Sequence, residues 1–97
     1  MKFYKANKDG TFEQVTAMMA SSAKVQDLVV FLAGDRDWRV CDYYSGAMIK
    51  SFKTRKLAMD FAESLDDETA AAILRCRQTD KYKRRCEAVI EFAKSCK

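Results

Sequence analysis

The stretch from Trp38 to Leu65 constrains the fold more than any other, because its hydrophobic period changes part-way along. From Trp38 to Tyr44 the side chains alternate. Trp38, Val40, Asp42 and Tyr44 share one side, and Arg39, Cys41 and Tyr43 share the other. Ser45-Gly46 interrupts the run, and Met48 to Phe52 resumes it. Alternation on both sides of a short break containing Gly46 predicts a β-hairpin, with glycine supplying the positive φ of a tight turn. After Phe52 the spacing becomes helical: Leu57, Ala58, Phe61, Ala62 and Leu65 fall on one side, and Thr54 stands where an N-cap belongs. Trp38, Val40, Leu57, Phe61 and Leu65 are therefore expected to share one core.

The flanking segments extend this pattern. Lys2 to Ala6 and Thr11 to Ala17 alternate around Asn7-Lys-Asp-Gly10, which predicts an N-terminal hairpin. Met18 to Ser22 reads equally as a strand end or a loop. Ser22 to Ala33 is open to two readings. Val25, Leu28, Val29 and Leu32 give a helical stripe with a serine cap and Gly34 beyond its end. Leu28 to Ala33 is also a strand-like apolar run that Gly34 to Asp37 would turn into Trp38. The twelve-residue persistence of the stripe favours helix. Glu68 to Arg77 and Lys81 to Lys97 are predicted helices, with Asp66-Asp67 and Gln78-Thr79-Asp80 as breaks that offer caps. The expected fold is a small single α+β domain. Its four-stranded, mainly antiparallel sheet is built from two hairpins and packs helices on one side, and its C-terminal half is helical.

Ninety-seven residues suit one domain. A hydrophobic content of 48% supports a folded core rather than a disordered chain. No apolar run is long enough to span a bilayer, and Lys2 and Lys5 are not followed by the apolar stretch of a secretory signal. A cytoplasmic protein without a membrane partner is the expectation. The four cysteines, Cys41, Cys76, Cys86 and Cys96, are expected to be reduced and structural. On one helix Cys86 and Cys96 would lie roughly 15 Å apart along the axis, beyond the roughly 7 Å that a disulfide bridges. No Cys-x-x-Cys knuckle and no histidine is present, so no metal or other cofactor is expected.

Catalytic patterns are weak. Asp35 and Asp37, and Asp66, Asp67 and Glu68, are spaced as turn formers and caps rather than as acid–base pairs. A cysteine nucleophile lacks its usual histidine base, and the three glycines, at 10, 34 and 46, are too scattered to form a phosphate loop. The expectation is a protein without enzymatic activity and without a small-molecule substrate.

Charge is more informative. The net charge of +4 permits nucleic-acid binding without requiring it. Lys50, Lys53, Arg55 and Lys56 cluster where the central hairpin meets its helix. Arg75, Arg77, Lys81, Lys83, Arg84 and Arg85 place six cations in eleven residues. Tyr43, Tyr44 and Tyr82 interleave and could stack on bases or donate hydroxyls. Against that, Trp38, Phe31, Met48 and the paired tyrosines are residue types enriched at protein interfaces. The reading preferred from sequence is a protein-interaction module, a homodimer or an inhibitor of a larger complex. Nucleic-acid binding through residues 50–56 and 75–85 is the alternative.

The run Trp38-Arg-Val, Ser45-Gly46 and Ser51-Phe-Lys-Thr-Arg-Lys56, followed by Ala58 and Phe61, resembles the arm-DNA-binding domain of phage-type tyrosine integrases and the related AP2-like domains over residues 28–65. The resemblance implies three antiparallel strands and one helix, with the sheet in the major groove and Arg39, Tyr43, Lys50 and Lys53 facing DNA. A strand rather than a helix before Gly34 would supply the third strand and favour DNA over protein. In size alone the chain is also similar to small phage-encoded inhibitors of host defence.

Overall fold

Four consecutive residues, Leu28, Val29, Val30 and Phe31, are buried on a strand whose two faces are both covered. A computed structural model describes residues 1–96 and places that strand at the centre of an α+β architecture. Strands β1 (Lys2–Ala6) and β2 (Phe12–Thr16) form a separate antiparallel hairpin. Strands β3 (Met18–Ala20), β4 (Leu28–Gly34), β5 (Asp37–Asp42) and β6 (Met48–Phe52) form a four-stranded antiparallel sheet in chain order. Helices α1 (Arg55–Glu63), α2 (Asp67–Cys76) and α3 (Asp80–Ser95) follow. Lys97, the expected last residue of the final helix, lies outside the described residues.

The layers explain the double burial of β4. On one face Leu28, Val30 and Val40 pack with Ala58 and Ala62 of α1 and with Ala70 of α2. On the other face Val29, Phe31 and Cys41 pack with Phe3 of the hairpin, whose ring lies 5.6 Å from that of Phe31. Helix α3 crosses the hairpin's outer side, where Phe92 lies 5.7 Å from both Tyr4 and Phe12.

This arrangement corrects the helix expected over Ser22–Ala33. A strand buried on both faces carries a continuous apolar run, and such a run has no alternation to betray it. The serine signal was real but belonged to a turn. Ser22 Oγ accepts from the amides of Lys24 and Val25, at 3.2 and 3.0 Å, and Asp27 then takes a left-handed φ of 62°. Val25 is buried from this loop, not from a helix face. The four-stranded sheet likewise differs in membership from the two-hairpin assembly expected. The N-terminal hairpin stacks on it as its own sheet, because β3 leaves β2 after one residue and pairs with β4. The helices do not all lie on one side, since α3 packs on the hairpin.

The helix boundaries follow their caps. Thr54, Asp66 and Thr79 accept from the amides of Leu57, Thr69 and Tyr82, respectively, at 3.2, 2.7 and 3.1 Å. Helix α1 approaches the sheet through Ala58 and Ala62, and this narrow small-residue seam leaves Leu57 51% exposed, contrary to its expected place in the core. Val40 and Leu65 are buried as expected, and Trp38 and Phe61 pack at the edge of the same cluster. Strand β5 ends at Asp42, not at Tyr44, because the Asp42 carboxylate accepts from the Ser45 amide and hydroxyl at 2.9 Å and turns the chain. Gly46 follows with φ 73°, and a Cβ there would collide with the Tyr4 carbonyl oxygen. The turn and β1 are joined by the Ala6 amide, which donates to Gly46 O at 3.0 Å.

Candidate functional site

The site begins with the spacing of cations on α3. Lys81, Arg84 and Arg85 fall at i, i+3 and i+4 and therefore share one side of the helix. Because Phe92 is held by Tyr4 and Phe12, that side faces the β1–β2 turn and the start of β6. Between them lies an open cleft of about 470 Å³. Lys8 of the turn adds a fourth cation, and Phe12 and Met48 add apolar surface. No carboxylate lines the cleft, and none of its four cations forms an ion pair among the described residues. Asp9, the acid of the same turn, is engaged by its own strand. Its carboxylate accepts from the Thr11 hydroxyl at 2.6 Å and the Thr11 amide at 3.0 Å, which holds it below the usual carboxylate range.

A buried polar junction fixes where α3 starts. Asp42, 5% exposed, accepts from Arg77 Nε at 2.9 Å and from the Tyr82 hydroxyl at 3.0 Å, besides Ser45. Arg77 Nη2 lies 2.8 Å from the same carboxylate and donates to the Gln26 carbonyl, also at 2.8 Å. The buried charge is thus paired and hydrogen-bonded, as burial requires. Burial, with the Asp42 charge beside it, pushes the Tyr82 phenol far up, so it stays a donor.

The other sequence candidates are dispersed. Arg77 is spent inside the fold. Arg75 is exposed in the last turn of α2, where a cation complements the helix dipole. Lys83 is exposed but does not line the cleft. Lys53 and Arg55 are exposed where β6 passes into α1, and Lys50 lies over the rings of Phe52 and Phe61, at 5.5 and 5.6 Å. Tyr43 and Tyr44 meet edge to face at 5.1 Å and border a smaller groove with Cys86, Val89 and Ile90. The Asp27 charge raises the Tyr44 phenol. Of the four residues that the integrase-like resemblance implies, Arg39 and Lys50 lie on opposite faces of the sheet. Arg39 pairs across from Phe31 on the hairpin side, and Lys50 pairs across from Val40 on the α1 side.

Lys81, Arg84 and Arg85 are legible as site residues in the sequence, whereas Lys8 and Phe12 read in isolation as turn and strand. All four cysteines are free, and burial pushes the Cys41 thiol up to about 12. Among the described residues no acidic, cysteine or histidine cluster is built to hold a metal, and no helix is long and apolar enough to cross a membrane. No family model matches this chain, and neither a curated protein nor a solved structure does so.

Proposed function

We propose that this chain is a non-catalytic binding module that holds nucleic acid by its phosphates in the cleft beside α3. The observation that carries this reading is the convergence of Lys8, Lys81, Arg84 and Arg85 on one open cleft that no carboxylate among the described residues lines. Uncompensated cations repel one another, and phosphate oxygens relieve that repulsion while releasing counterions. Strands β4, β5 and β6 with α1 match the three antiparallel strands and helix that the integrase-like resemblance implies, a likeness of fold that does not extend to the cleft. The docking mode differs from the one implied there. The β1–β2 hairpin covers the sheet face opposite α1, so the cations of α3 replace the sheet as the contact surface.

The protein-interaction reading keeps one specific observation. Tyr44 and Ile90, 49% and 55% exposed, flank the small groove between the β5–β6 turn and α3. The larger aromatic patch expected for a protein partner is dispersed, because Phe31 is buried and Trp38 packs on the opposite sheet face. Fluorescence anisotropy with labelled single-stranded and duplex DNA and RNA at about 50 mM salt tests the choice. Binding that is lost in the Arg84→Ala/Arg85→Ala variant supports the nucleic-acid reading. No binding to any of them overturns it in favour of a protein partner, for which a pull-down with a Tyr44→Ala/Ile90→Ala variant is the corresponding test.

A further inference from the structure

Resting on the reading above, we infer that the cleft takes a single strand and stacks an unpaired base on Phe12. Duplexes are read by convex elements, a helix or a ribbon, that enter a groove. Here the cations line an open recess between α3 and the β1–β2 turn, and a duplex, with its bases stacked inside and its phosphates outermost, offers that recess phosphates but no free base for Phe12. A single strand can place one nucleotide inside. Open basic grooves with an aromatic platform are the arrangement that single-strand binding uses, because every base has a π-face.

Phe12 is built for that role in three ways. It lines the cleft directly, together with Met48, so apolar surface lies among the cations. Its ring leans on Phe92 with centroids 5.7 Å apart, and Phe92 also contacts Tyr4, so the platform is held before any ligand arrives. It pairs across from Ala6, whose small side chain leaves the space over the hairpin's end open. The phosphates flanking the stacked base then fall to Arg84 and Arg85 on one wall and Lys8 on the other. A shallow contact of this kind reads little sequence, so the ligand class is unpaired DNA or RNA without strong base preference.

The test uses the full chain and labelled oligothymidylate, the matching duplex, and an abasic deoxyribose-phosphate strand of equal length, by anisotropy at about 50 mM salt. The expected result is single-strand binding at least about tenfold tighter than duplex or abasic strand, with Phe12→Leu losing about tenfold on oligothymidylate alone. Leucine keeps the apolar contact with Phe92 but has no π-face. The abasic comparison needs no variant and decides whether a base is stacked, and if Phe12→Leu fails to fold, Phe12→Met, also without a π-face, decides whether Phe12 is the platform. Equal affinity for oligothymidylate, duplex and abasic strand overturns the stacking inference while leaving phosphate binding in place. Absence of binding to all three overturns both.

Discussion

Arg77 Nε lies 2.9 Å from Asp42 Oδ1 across 35 residues of sequence, and this pair ties the end of α2 to the end of β5. Asp42 is nearly inaccessible, so removing its partner leaves a buried charge served only by Ser45 and Tyr82. Arg77→Ala is expected to cost about 3–5 kcal/mol of stability. Removing both charges together is expected to cost less than the sum of the single variants, because neither is then orphaned. Urea unfolding of the four proteins of the cycle checks this. Additive losses contradict the pairing, and an Arg77→Ala protein of unchanged stability but weakened binding would return Arg77 to the partner-facing set.

The hairpin layer is expected to matter as much as the helix layer. Phe3 is fully buried against Phe31, so Phe3→Ala is expected to cost about 3–5 kcal/mol. Leu57 is 51% exposed, and Leu57→Ala is expected to cost less than about 1 kcal/mol. Denaturant midpoints of the two variants rank them directly, and the reverse order contradicts the two-faced sheet.

Part of the loss of stability at alkaline pH should follow Cys41, beside the contributions of Cys86 and Tyr82, which burial also raises. Its thiol ordinarily titrates near 9, and burial raises it to about 12 in the folded chain. Between these values the unfolded chain releases a proton that the folded chain keeps, so stability falls as pH rises through that window. One proton sets a maximum slope of about 1.4 kcal/mol per pH unit. Cys41→Ala is expected to flatten the fall between about pH 9 and 11 while lowering stability at pH 7 through the cavity it leaves. An unchanged slope in melts across that range contradicts the assignment.

Local physics made much of the fold legible from sequence. Thr54, Asp66 and Thr79 act on amides three residues ahead, so their caps are written in adjacent letters. Gly46 was legible too, although the approach of the Tyr4 carbonyl that demands glycine there is tertiary. Leu28 to Phe31 was not legible, because burial on both faces erases alternation and leaves the helical stripe of Val25, Leu28, Val29 and Leu32 as the stronger pattern. The site divides in the same way. Lys81, Arg84 and Arg85 share a helix side by spacing alone. Lys8 and Phe12 join them only because α3 lies across the hairpin, and Arg77 leaves them because Asp42 is waiting on a distant strand.

The salt dependence of nucleic-acid binding tests the central claim most directly. For a single strand, log K falls with log salt by about 0.7 per phosphate neutralised, so a cleft of four cations predicts a slope of about −2 to −3. Arg84→Ala is expected to make that slope shallower by about 0.7, and Lys83→Ala, outside the cleft, to leave it unchanged. A slope near zero, or one that responds to Lys83 and not to Arg84, contradicts phosphate binding in the α3 cleft.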